Sequence, residues 1–90
     1  MDIRILVERA FPLLGRGTVI SGPITEGDVC TGDVLVVEGT TDRVRVLGLE
    51  MHVRQPETGR RVGLVTSPED ALAVTAGSVL VSARPARVQG

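Results

Sequence analysis

Gly15-Arg16-Gly17-Thr18-Val19-Ile20-Ser21-Gly22 decides how this chain is read. Thr18, Val19 and Ile20 are β-branched, and such stiff side chains suit a pleated strand. Glycines close both ends of the run, where a strand bends or another backbone comes close. Gly15-Arg16-Gly17 is not the dinucleotide fingerprint, which needs a third glycine and a following helix; here a strand follows. The run predicts a strand entered through a bulge or corner, as in a small barrel.

Outward from it the pattern stays all-β. Ile3, Ile5 and Val7 alternate with Arg4, Leu6 and Glu8, which predicts a strand ending near Phe11, where Pro12 withdraws an amide donor. Thr18 to Ile24 forms the next strand. Val34 to Val37 is a continuous apolar run, as expected of a strand covered on both faces. Val44, Val46 and Leu49 alternate with Arg43, Arg45 and Gly48, predicting one longer strand with a wet face. Val62, Leu64 and Val65 form another, and Val79 to Val81 the last. Glu26-Gly27-Asp28, Thr31-Gly32-Asp33 and Glu38-Gly39 are turn sequences, and Gln55-Pro56-Glu57-Thr58-Gly59 reads as a hairpin tip. Six strands at short spacing suggest a barrel or sandwich, and closure removes reactive edges. Ser67-Pro68-Glu69-Asp70 is the one helix-start signal, predicting a short helical turn near 68–72. Residues 1–84 are expected to form one barrel, and residues 85–90 a frayed C-terminal tail.

Ninety residues suffice for a single core. It has to be aliphatic, since the chain has one Phe and no Trp or Tyr. All ten basic residues are Arg. Without Lys, a phosphate-binding Walker loop and Schiff-base chemistry are excluded within this chain. A formal charge of -1 argues against nucleic-acid binding by bulk electrostatics, though not against a local basic patch. The single Cys30 cannot form an internal disulfide, no apolar stretch approaches membrane-spanning length, and Met1-Asp2-Ile3-Arg4 lacks a secretion-signal pattern. A cytoplasmic location is the expectation.

Catalytic readings find little to stand on. Cys30 and His52 are too few for a structural zinc site, and no cofactor is expected. No Gly-x-Ser-x-Gly elbow is present. Glu8 and Glu50 could pair, but eleven acids in ninety residues make chance pairs common. The expectation is a protein that is not an enzyme.

Glu8-Arg9-Ala10-Phe11, the Gly15–Gly22 run, Gly48-Leu49-Glu50-Met51-His52, Gly59-Arg60-Arg61-Val62-Gly63 and Ala76-Gly77-Ser78-Val79-Leu80 occur in this order. In combination they resemble the second domain of elongation factor Tu and its translation-factor GTPase relatives, without the GTPase domain. The resemblance implies a six-stranded antiparallel Greek-key β-barrel. It also implies a nucleotide-end pocket at Glu8, Leu13, Gly15, Val19 and Glu50, where the family holds the terminal adenosine of aminoacylated tRNA. Apolar walls would take the base, and acceptors would meet the ribose and base edge.

The chain departs from the family pattern in four places: Thr66-Ser67 stands where the family has Arg-Gly, the hairpin around Pro56 is shorter, and two positions have become arginine. Arg9 replaces an Asp, and Arg61 replaces an Asn that lies near the amino acid's ammonium group. An arginine there repels an ammonium and attracts a phosphate or carboxylate. Arg9, Arg16, Arg54, Arg60 and Arg61 are the candidate phosphate or anion contacts. The expected function is a non-enzymatic module binding a tRNA 3′ end or ribosomal RNA, with a GTPase or other protein as a partner in trans. The alternatives are a protein-interaction or scaffold barrel, and an excised domain of a larger GTP-binding translation factor.

Overall fold

Among the described residues, alternation and turn chemistry give eight strand segments and one short helix. They are β1 (Arg4–Leu6), β2 (Arg9–Leu13), β3 (Gly17–Glu26), β4 (Val34–Val37), β5 (Arg43–Arg45), β6 (Gly48–Gln55), β7 (Gly59–Thr66), α1 (Pro68–Ala71) and β8 (Val79–Ser82). The computed structural model describes residues 2–13, 15, 17–55 and 59–83, with positions 51–55 and 59 described through their backbone alone. The expected tail at 85–90, Arg16, and Pro56 to Thr58 of the hairpin tip lie outside the described residues.

All the strands join one antiparallel sheet in the order β5-β4-β8-β1-β3-β7-β6, with β2 also paired to β3. Its two end strands, β5 and β6, are separated in sequence only by Val46 and Leu47. So short a link forces the ends of the sheet together, and the sheet curls into a barrel-like form. Leu47 N–H donates to Val65 C=O at 2.8 Å, and Thr66 Oγ1 donates to Arg45 C=O at 2.8 Å, stitching the seam. Thr66 is fully buried, so its hydroxyl needs that partner.

The chain is all-β, as the sequence implies, but two of the six expected strands are each broken in two. The strand expected from Ile3 to Phe11 becomes β1 and β2. Between the pairs Ile5↔Ile24 and Arg9↔Ser21 this strand advances four residues while β3 advances three, so the chain kinks at Leu6 to Glu8. Gly22 makes the kink feasible: a Cβ there would lie 1.8 Å from Leu6 O and 3.1 Å from Glu8 N. The strand expected from Val44 to Leu49 becomes β5 and β6, because it leaves β4 and crosses to β7.

Two smaller expectations also change. β2 runs through Pro12 to Leu13, since an edge strand paired only to β3 tolerates a residue without N–H. β4 is buried on alternate residues, not on both faces: Leu35 and Val37 face the core while Val34 and Val36 are half-buried. The core itself is aliphatic throughout, with Ile5, Ile20, Leu35, Val44, Leu64 and Leu80 fully buried at its centre. Each such side chain contributes about 1.5–3 kcal/mol through burial.

α1 starts as the sequence predicts. Ser67 Oγ accepts from Asp70 N–H at 3.1 Å and Pro68 stands at the first helical turn. Asp70 also accepts from Arg45 N–H at 3.0 Å, so the helix caps the exposed side of β5. Among the described residues no helix is long and apolar enough to cross a membrane.

Candidate functional site

Side chains directly opposite each other in an antiparallel sheet share a face, and the face alternates along each strand. On β3 and β7 one face holds the pairs Ile20↔Leu64 and Gly22↔Val62, and this is the side packed in the core. The other face carries Val19↔Val65, Ser21↔Gly63 and Pro23↔Arg61. β2 extends these rows with Phe11 beside Val19, Arg9 beside Ser21, and Leu13 beside Gly17. β6 adds Gly48 next to Val65 and a bulge between Leu49 and Met51, with Glu50 as its extra residue. The bulge falls beside Gly63, which is buried.

Most of the expected pocket residues border this outer face. Val19 forms its floor with Val65; both are buried although neither belongs to the main core cluster. Leu13 is half-buried at one end, and the exposed Gly15 stands in the turn joining β2 to β3 with φ +74°. Glu8 and Glu50 stand at opposite sides of the strip. The strands between them set their backbones about 14 Å apart. Glu8 is anchored by its N–H to Ser21 C=O at 2.8 Å, and Glu50 is exposed on β6.

The arginines divide. Arg61 shares the outer face and its guanidinium pairs with the Glu8 carboxylate across β3. Both side chains are partly exposed, so the pair stabilises the fold by only about 0.2–1 kcal/mol and a ligand can split it. Arg9 is exposed, and its side chain has no hydrogen bond or ion pair among the described residues. Arg60 belongs to the opposite face, in the Ile24↔Arg60 row. Its guanidinium donates to Gly27 C=O and lies 3.3 Å from Asp28 Oδ1, so it braces the 26–28 turn. Arg54 stands opposite Arg60 by register, and Arg16 lies outside the described residues. Arg60 and Arg61 therefore do not form one patch.

Sequence reasoning missed Phe11, Ser21 and Val65 as members of this face. The signal was present in the alternation Arg9, Phe11, Leu13 along β2, which puts the chain's one Phe on the same side as Val19. Phe11 is 40% exposed, an unusual position for a large ring in so small a domain. Beside β2 a hollow of about 610 Å³ is lined by Arg9, Ala10, Phe11, Val74, Thr75 and Ala76. Among the described residues no group of three His, Cys, Asp or Glu side chains is placed to hold a metal. No protein-family model matches the chain.

Proposed function

We propose that this chain is a non-enzymatic binding module of the translation-factor second-domain type, taking the end of a tRNA or of ribosomal RNA. One observation carries the reading. A single sheet face sets an apolar floor, Val19 and Val65, beside an exposed ring, Phe11, with Arg9, Arg61 and Glu8 next to them. An RNA end offers matching parts. A base stacks on the ring, ribose hydroxyls donate to a carboxylate, and phosphate oxygens accept from guanidinium groups. Stacking one base on an aromatic side chain is worth ~1–3 kcal/mol.

Titration with charged and uncharged tRNA at several salt concentrations tests this. With Arg9 and Arg61 as the cations of the face among the described residues, log affinity falls with log salt at a shallow slope of about -1.4. Phe11→Ala weakens binding by about 5- to 160-fold. The uncharged end binds at least as tightly as the aminoacylated one, since Arg61 disfavours an ammonium. Absence of binding at low salt, or binding indifferent to Phe11→Ala and Arg61→Ala, refutes the reading.

A second reading, a protein-interaction barrel, draws on exposed apolar side chains: Leu72 is 85% exposed and Leu47 50%. It predicts self-association or capture of a partner such as a GTPase in trans. A clean monomer in light scattering counts against it.

A further inference from the structure

We infer that the outward edge of β2 takes a short extended segment of a partner protein, two apolar residues followed by an acidic one, as an added strand. The hydrogen-bond parity of β3 leaves that edge unpaired. Glu8 N–H donates to Ser21 C=O at 2.8 Å, so Ser21 and, two residues away, Val19 turn their backbone groups toward β2. Ile20 between them turns toward β7. The seam gives the same parity: Val65 C=O accepts from Leu47 on the far side of β7, which leaves Leu64 to face Ile20. Ala10 stands opposite Ile20, so its N–H and C=O point away from the sheet, as does Pro12 C=O. Among the described residues β2 pairs with β3 alone, and no hydrogen bond reaches Ala10 from the other side.

The neighbouring strand shows where such a segment fits. β8 flanks β1, and the ladder between them is prolonged by Val7 N–H to Ser78 C=O and Gly77 N–H to Val7 C=O, each at 2.8 Å. Beyond Val7 the kink carries β2 away from residues 74–76, and the hollow of about 610 Å³ lies between them. A segment laid there antiparallel to β2 holds the place that β8 holds beside β1. Its register then specifies its chemistry. The residue opposite Ala10 exchanges two backbone bonds with it and shares its face. Ala10 lies on the core side with Ile20 yet is exposed, so that residue turns an apolar side chain toward Val74 and Ala76. The residue after it falls beside Arg9, whose exposed guanidinium has no partner among the described residues, and is therefore acidic. The residue before it falls beside the exposed Phe11 and is apolar. Pro12 offers no N–H and ends the ladder, so the segment is short.

The blocked peptide acetyl-Ser-Thr-Phe-Leu-Glu-Thr-amide, followed by backbone amide chemical shifts and hydrogen exchange, tests the assignment. On binding, the Ala10 amide gains protection, and the shifts centre on Arg9 to Phe11 and Val74 to Ala76. A peptide with Lys for Glu binds about fivefold more weakly, and in Arg9→Glu the preference inverts. Ala10→Pro removes the one outward N–H of β2 while sparing the ladder to β3, and weakens binding at least about fivefold. The reversed peptide, acetyl-Thr-Glu-Leu-Phe-Thr-Ser-amide, sets its carboxylate beside Phe11 and binds more weakly than the first. No binding, an unprotected Ala10 amide, a charge preference that survives Arg9→Glu, or equal binding of the reversed peptide overturns the inference. So does full affinity in an Ala10→Pro protein that circular dichroism shows to be folded; if that variant does not fold, the inversion in Arg9→Glu decides alone. The tRNA titration is read separately, so the peptide inference and the RNA-end reading can each fail without the other.

Discussion

Replacing Gly22 by alanine tests the packing on which the outer face depends. The new Cβ would sit 1.8 Å from Leu6 O, 3.0 Å from Leu6 C and 3.1 Å from Glu8 N, all of them backbone atoms. Unstrained carbon contacts lie at ~3.5–4.0 Å. The Leu6–Glu8 kink would therefore have to move outward by well over an ångström. That motion breaks the 2.8 Å bond from Glu8 N–H to Ser21 C=O and disturbs the neighbouring Arg9↔Ser21 pairing. Two or more lost backbone bonds at ~1 kcal/mol each, with the residual clash, give a destabilisation of at least about 3 kcal/mol. A domain of this length has only about 5–13 kcal/mol in total. The expected fall in melting temperature is ~12–24 °C. Gly39→Ala provides the control: its φ of +88° strains an alanine, but a Cβ there meets nothing within 4 Å. It should lose only about 1 kcal/mol. Thermal and urea unfolding of both variants decide the matter. A Gly22→Ala protein that melts within about 5 °C of the parent, or no lower than Gly39→Ala, would show that the β1–β2 crossing does not press on β3.

Other expectations follow from the seam and the arginines. Thr66→Val keeps the shape but leaves Arg45 C=O without its buried donor, lowering stability by about 1–2 kcal/mol in urea unfolding. Ser67→Ala removes the cap on Asp70 N–H and lowers stability by about 0.5–1 kcal/mol, checked by thermal melting. Asp70→Ala exposes the Arg45 amide, so its hydrogen exchange accelerates well before global unfolding. Arg60→Ala loosens the 26–28 turn and lowers the melting temperature by ~4–8 °C, while tRNA affinity stays unchanged. A selective loss of affinity in Arg60→Ala would return that residue to the phosphate contacts.

Turn and cap signals translated directly because they are local. Gly27, Gly32 and Gly39 all take the positive φ expected of their turns, and Ser67 caps α1 as its sequence neighbours require. The aliphatic core was equally readable, since alternation alone sorts Ile3, Ile5 and Val7 from Arg4 and Glu8. The kinks were not. Nothing within Leu6 to Glu8 announces that β3 will lie beneath it, and the glycine that permits the crossing is remote in sequence. The same holds for the Glu8–Arg61 pair, whose members stand 53 residues apart. The separation of Arg60 from Arg61 was within reach, because consecutive strand residues point to opposite faces. Reading the arginines as one basic set overlooked that parity.

β8 lies between β1 and β4, pairing Leu6 with Val79 on one side and Val37 with Leu80 on the other. The earliest strand of the fold thus awaits the latest one. While the chain emerges from a ribosome, β1 has β3 for a neighbour but an open flank until residues 79–82 arrive. Loop closure over such separations is entropically slow, so barrel assembly belongs to the millisecond-to-second range typical of non-local β topologies. Until then the apolar side chains of β1 and β4 lack their final cover, and newly made protein is most prone to aggregate in that interval.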